Sequence, residues 1–353
     1  MPKSVFRGVK ISGVAGAVPA AKVDNLRDHY FIPEEDRRKI IELTKVAAYR
    51  KAPEHVCASD LCQAAAEKLL NGMGKQAADI DAIVFTSMTP DYRVPSTACV
   101  LQDRLKCATS TLAYDVNMGC SGYVVGLYNA CALISGGGLR RVLLLAGDTQ
   151  TKLCHREDKN VVFILADAGT ATLVEADPSA EPITIELLTD GSRFKNLYVP
   201  AGGFRQPSTD KTREIKSQSD GGVRSDDNLF MNGMEIFKFS VTEVVKTLSS
   251  FMEAEGLPPA SVNSLFLHQA NYFMNDKIAK KLKFQGNQVP YTIGFYGNTG
   301  SASIPVTMAH HFSTTPAGAS HRAVLCGFGV GLSWGVASAR LDNLYAPPVV
   351  EVS

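Results

Sequence analysis

The sequence predicts an α/β protein made of two related halves, and three observations carry that prediction. Short apolar runs that suit strands buried on both faces alternate with amphipathic stretches at helical spacing. Two strand-to-turn junctions of the form Gly-x-x-Gly, Gly119-Cys120-Ser121-Gly122 and Gly297-Asn298-Thr299-Gly300, fall at equivalent places in the pattern. The length of 353 residues is also roughly twice the ~150 of an average domain. The halves are expected at residues 1–177 and 178–353.

Each element follows from local pattern. Val9 to Ala20 reads as a strand running into a loop, because two glycines and a proline interrupt its apolar run. That interruption also argues against a signal peptide. Residues 33–50 read as a charged, surface-facing helix and turn. Ser59 is expected to cap the next helix, with Gln63 near the far side of its first turn; its apolar positions Leu61, Ala65, Leu69 and Leu70 recur at helical spacing. Residues 81–87 form a buried strand and 97–105 a helix. The Tyr114 strand then enters the Cys120 turn, and a helix runs from there to the glycine run 136–138, which suits a C-cap. Residues 141–148 and 166–174 are strands. The polar, glycine-rich stretch 200–228 reads as a long surface loop, and 234–252 as one amphipathic helix. Then come a strand at 263–268, a helix at 271–282, a strand at 289–295 running into the second glycine turn, and a strand–glycine turn–strand unit over 323–334.

Bulk properties exclude several classes. A net charge of +1 gives no sign of nucleic-acid or anionic-membrane binding. No stretch reaches the ~18 apolar residues of a membrane span. Eight cysteines lie scattered, without C-x-x-C pairs or Cys/His clusters, which argues against zinc and against a disulfide framework. A reducing cytoplasm is the expected setting.

Three residues stand at strand-to-turn junctions with chemistry to offer. Cys120 sits at or next to a helix start, where unpaired N–H groups and the dipole lower a thiol's pKa. His268 ends a strand, where ligands of open α/β sheets bind. Asn298 occupies the place of Cys120 in the second half. If the halves pack about a pseudo-twofold axis, Cys120 and Asn298 approach each other. Each residue alone has an ordinary explanation: a packed thiol, a satisfied core histidine, a turn asparagine. Together, in a duplicated unit, they are hard to attribute to packing.

The motifs Asp115-Val116-Asn117-Met118-Gly119-Cys120-Ser121-Gly122, His268-Gln269-Ala270-Asn271, Gly297-Asn298-Thr299-Gly300-Ser301-Ala302-Ser303-Ile304-Pro305 and Gly327-Phe328-Gly329-Val330-Gly331-Leu332-Ser333-Trp334-Gly335 occur in that order. In them the chain resembles the β-ketoacyl-ACP synthase III family of thiolase-superfamily condensing enzymes, from about Val9 to Leu341. The resemblance implies a thiolase-like duplicated αβαβα layered fold and an acyltransferase that joins an acyl thioester primer to malonyl-ACP by decarboxylating Claisen condensation. It implies Cys120 as the acyl-carrying nucleophile, with His268 and Asn298 on the malonyl carbonyl and the N–H groups of Cys120 and Val330 as oxyanion hole. Lys238, Lys280 and Lys281 match a patch that receives acyl carrier protein, and Val94 matches the residue that caps the partner's acyl pocket in a homodimer. No cofactor or metal is implied.

Departures matter too. The stretch 36–45, where relatives primed by CoA carry a nucleotide-holding Trp, has none, which favours acyl-ACP over acyl-CoA as donor. Val94 is smaller than the aromatic of short-primer enzymes and points to a longer or bulkier acyl chain. Two alternatives stay open from the residues. One is an acyltransferase or non-decarboxylating condensing enzyme on the same fold. The other is a non-catalytic partner subunit, against which the intact Cys/His/Asn set counts.

Overall fold

A computed structural model describes residues 3–315, 318 and 320–353. In chain order, β1 (Ser4–Phe6) and β2 (Val9–Pro19) precede β3 (Lys22–Asp24), α1 (Glu34–Thr44), β4 (Ala48–Arg50) and α2 (Ala58–Gly72). β5 (Ala82–Thr86), α3 (Thr97–Arg104), β6 (Leu112–Val116), α4 (Gly122–Gly137), β7 (Arg141–Thr149) and β8 (Asp167–Ala176) follow. After β9 (Ile183–Thr189) come the short β10 (Leu197–Tyr198), α5 (Asp210–Arg213), β11 (Lys216–Ser217), β12 (Val223–Arg224) and β13 (Phe230–Met231). The chain continues through α6 (Gly233–Phe239), α7 (Val245–Ala254), β14 (Ser264–Leu267), α8 (Tyr272–Lys281), α9 (Ile293–Tyr296) and α10 (Ser303–Thr314) to β15 (Arg322–Gly329), β16 (Ser333–Arg340) and β17 (Val350–Val352).

Two sheets organise these elements, a six-stranded one ordered β17-β2-β8-β7-β5-β6 and a five-stranded one ordered β1-β9-β16-β15-β14. Period-2 alternation splits each central strand between two cores. In β7, Val142, Leu144 and Ala146 face inward with Leu127 and Ile134 of α4, while Leu143 and Leu145 face outward with Leu61, Ala65 and Leu69 of α2. In β15, Ala323 and Leu325 join the same inner core, whereas Val324 and Cys326 pack with Leu248 of α7 and Ile278 of α8. The helices α4 and α10 therefore lie between the sheets and are buried nearly all round, with further helices on both outer faces. This is the expected α-β-α-β-α layering. The terminal strands cross over: β1 pairs with β9 in the second sheet and β17 with β2 in the first.

Four local expectations are corrected. The strand at 289–295 does not form. Pro290 lacks a ladder donor, Thr292 N–H donates to the Gln269 side chain at 3.1 Å, and the chain turns into α9. Ser59 does not cap α2; Cys57 is the N-cap, its N–H donates to Asp60 at 2.6 Å, and Ser59 is buried with its hydroxyl on Asp91. The helix at 234–252 is split by a π-turn over residues 240–244, where Ser240 and Thr242 hydroxyls take the Phe237 and Lys238 carbonyls at 2.7 Å. Finally, 200–228 is not bare loop. It carries α5 and the β11–β12 pair, pinned where buried Arg224 meets Asp158 at 3.2 Å and Asp220 at 2.6 Å.

Candidate active site

The β6-to-α4 turn delivers Cys120. Ser121 is the N-cap of α4 and its hydroxyl meets Ser333 of the second half at 2.9 Å, which ties the turn to the β15–β16 loop. That loop approaches so closely that a Cβ on Gly329 would lie 2.6 Å from both Cβ and Sγ of Cys120, so only glycine fits. The approach brings the Val330 backbone up to the Cys120 side chain, so that the N–H groups of Val330 and of Cys120 itself favour a negative sulfur.

His268 follows β14, and its main chain is fully engaged. Its N–H donates to Cys326 at 2.8 Å, and its carbonyl accepts from Ala270 N–H at 2.8 Å and the Asn275 side chain at 3.0 Å. Its Nδ1 lies 2.7 Å from Ser303 Oγ on α10. Next door, Gln269 ties the strand to Thr292 while Asn271 caps α8 through Met274 N–H at 2.8 Å. Of this motif the histidine side chain lines the cavity, with Ala270 and Asn271 beside it.

Asn298 sits where its backbone bridges Leu165, donating to Ile164 O and accepting from Ala166 N–H at 2.8 Å each, with Gln150 Nε2 also on its carbonyl. Gly300 N–H donates to its Oδ1 at 3.1 Å, which orients the amide so that Nδ2 points toward the Ala270 carbonyl and the cavity. Gly300 has φ +61°, and an added Cβ would lie 2.4 Å from Asp148 Oδ2. Asp148 is fully buried and accepts from Met88 N–H at 2.8 Å and Ser301 N–H at 2.7 Å, so one carboxylate locks the second-half turn to the first half.

Cys120, His268 and Asn298 thus line one cavity of about 260 Å³, together with Phe328 and Val330 and an apolar wall that includes Ile236 and Met274. Electrostatics there are set by exclusion of water. Burial lowers His268 to about 3, against the opposing pull of the Gly300 carbonyl, so the ring is neutral. Burial also pushes the Cys120 thiol up to about 11, and the two N–H groups only partly offset it. This reverses the expectation of a lowered thiol pKa. The helix start is present, but the enclosed position outweighs it. Capture of Cys120 by iodoacetamide should therefore rise about tenfold per pH unit between pH 7 and 10; peptide mass mapping checks this, and a plateau below pH 8 would contradict it.

The remaining expected residues lie apart. Val94 is 83 % exposed on the loop before α3 and does not line this cavity. The lysines are not equivalent. Lys280 pairs with Asp276 at 2.8 Å and Lys281 donates to Val241 O at 2.8 Å, whereas Lys238 makes no ion pair among the described residues. Lys277, not singled out from the sequence, lies 5.3 Å over Phe273, which stacks on Phe237 at 5.6 Å. Ser303 and Asp148 were also missed as site residues, although Ser303 stands inside a quoted motif. No group of three His, Cys, Asp or Glu that could hold a metal occurs among the described residues, and no described helix is long and apolar enough to cross a membrane.

Fold and site together define a condensing enzyme of the thiolase type, an acyltransferase. Residues 114–191 match the family model for 3-oxoacyl-(acyl-carrier-protein) synthase III, and residues 252–341 match the model for its C-terminal part. The chain is 34 % identical to the β-ketoacyl-(acyl-carrier-protein) synthase III of Enterococcus faecalis, over 78 % of this chain and 82 % of that one. It is 31 % identical to the Streptococcus agalactiae enzyme of the same name, over 92 % and 97 %. A crystal structure of 3-oxoacyl-(acyl-carrier-protein) synthase from Burkholderia xenovorans superposes with a TM-score of 0.92 at 36 % identity, covering 99 % of both chains. The chain belongs to the β-ketoacyl-ACP synthase III family.

Proposed function

We propose that this protein condenses an acyl primer with malonyl-ACP through an acyl-Cys120 intermediate. The observation that carries the reading is a thiol, a neutral histidine and an oriented asparagine amide in one apolar cavity, with the Val330 loop against the thiol. Cys120 attacks the primer thioester, the carbon–sulfur bond of the donor breaks, and the thiol proton leaves with the departing thiol. The N–H groups of Cys120 and Val330 stabilise the tetrahedral oxyanion, each by about 3 kcal/mol. His268 and Asn298 then donate to the malonyl thioester carbonyl, carbon dioxide leaves, and the enolate attacks the acyl-Cys carbonyl and expels the thiolate. A neutral imidazole suits this step, because an imidazolium would protonate the carbanion.

Acyl-ACP is the favoured donor. The chain's only tryptophan, Trp334, is buried with Nε1 on Thr247 at 2.9 Å, so none is available to stack a nucleotide. Docking of the acidic carrier rests on Lys238. Lys238→Glu should raise KM for malonyl-ACP roughly threefold or more while leaving kcat within about twofold, and Lys280→Glu should do less because Lys280 already has Asp276. Equal effects of the two variants would discard this assignment. A homodimer is favoured by the unpaired edge of β6, where Leu112 is 45 % exposed, and by exposed Val94, which would reach the partner's acyl pocket. Eight free cysteines fit a reducing cytoplasm. The reading is tested by incubating the protein with malonyl-ACP and a panel of acyl-CoA and acyl-ACP donors and following the mass of Cys120. If no donor acylates it, the proposal fails.

A further inference from the structure

We infer that Ser303 is a positioning residue, whose hydroxyl donates to Nδ1 of His268 and so keeps the ring proton on Nε2, the nitrogen left to face the cavity. The inference rests on the condensation proposed above for its functional meaning, and on hydrogen-bond accounting for its geometry. Ser303 is fully buried at the start of α10, and its Oγ makes two contacts among the described residues. One is with the N–H of Gln269 at 3.3 Å, which can only donate. The other is with Nδ1 of His268 at 2.7 Å. The hydroxyl proton therefore has the imidazole nitrogen as its one bonded acceptor, and a neutral ring that accepts at Nδ1 carries its proton on Nε2.

Gln269 is next to His268 in sequence, so its N–H and the ring are held in register, and one serine reads both. Thr307, one turn on, accepts its place by donating to the Ser303 carbonyl at 2.7 Å and bonding Thr292 at 2.6 Å, which fixes the first turn of α10. Ser303 is thus held rigidly where the ring needs it. The competing arrangement is a proton on Nδ1, with Ser303 Oγ as its acceptor. Nε2 would then be an acceptor and could not hold a thioester carbonyl.

The test reads the tautomer directly. Protein labelled with nitrogen-15 in histidine is compared with the His268→Asn variant to assign the His268 signals. The expected result for the unaltered protein is an unprotonated Nδ1 and a protonated Nε2; a protonated Nδ1 overturns the inference. In Ser303→Ala the two tautomers should mix. Decarboxylation of malonyl-ACP should then fall roughly 10- to 100-fold, with Cys120 acylation falling less than about threefold. Equal loss of both partial reactions, or an unchanged tautomer in Ser303→Ala, also overturns it. Ser303→Thr, which keeps the hydroxyl, should restore the tautomer and most of the decarboxylation. Because the nitrogen spectrum of the unaltered protein needs no turnover, it stands or falls separately from the proposed reaction.

Discussion

Cys120→Ala abolishes acyl transfer from every donor while leaving the fold and a residual, unproductive decarboxylation of malonyl-ACP. This is the largest effect expected of any single change. In the proposed mechanism the thiol contributes the bond-forming atom, but the backbone N–H groups and the pair His268 and Asn298 survive its removal. Truncation of the small thiol to a methyl group also leaves little cavity. His268→Ala and Asn298→Ala should do the reverse. Under the proposed mechanism each removes a donor to the enolate oxygen and should lower condensation roughly 10²- to 10³-fold, with acylation largely intact. Intact-protein mass spectrometry reports the acyl-enzyme, and release of labelled carbon dioxide reports decarboxylation. Parallel loss of acylation and condensation in the His268 and Asn298 variants would contradict the division of roles.

Asp148→Ala is expected to be the most destabilising change at the site. Asp148 has no cation beside it; its buried carboxylate is satisfied by Met88 N–H, Ser301 N–H and the Ser87 hydroxyl at 3.1 Å. Alanine leaves two buried backbone donors without an acceptor, a loss on the order of 4 kcal/mol at about 1–3 kcal/mol for each. It also releases Ser301 and Gly300, and with them the turn that orients Asn298, so condensation should fall as well. The pH dependence has a definite sign. Burial raises the Asp148 carboxyl from 3.8 to about 6 in the folded protein. Between those values the folded state holds a proton that the unfolded state has lost, so folding is favoured as pH falls through this window. The gap in unfolding free energy between the unaltered protein and Asp148→Ala should therefore widen on going from pH 7 to pH 4. Asp167 titrates in the same range but is common to both proteins and cancels. A gap that narrows with acidification would show that Asp148 is not held this way.

The layering was legible because it depends on period-2 and period-3.6 patterns of apolar residues, and β7 and α4 display those patterns without interruption. Cys120 and Asn298 were legible as neighbours because the paired Gly-x-x-Gly turns mark where the two halves converge, and His268 as the residue that ends a strand. What escaped was decided by side-chain hydrogen bonds that no local pattern encodes. Residues 289–295 have the composition of a strand, yet Gln269, more than twenty residues earlier in the chain, satisfies Thr292 N–H in place of a neighbouring strand. The amphipathic pattern of 234–252 is real, but Ser240 and Thr242 take helix carbonyls for themselves. The thiol pKa escaped for a related reason. A helix start is visible in sequence, whereas the enclosure that outweighs it is a property of the closed cavity. Asp148 reads only as the last residues of an apolar strand until Gly300 is brought against it.

The exchange of terminal strands bears on how the chain can be divided. A break after residue 177, where the sequence leads one to divide the chain, would strand β1 with the wrong fragment and deprive the first sheet of β17. Each fragment would expose an unpaired sheet edge that the other was built to cover. The two expected halves are therefore a single object in assembly, each laced shut by the opposite end of the chain.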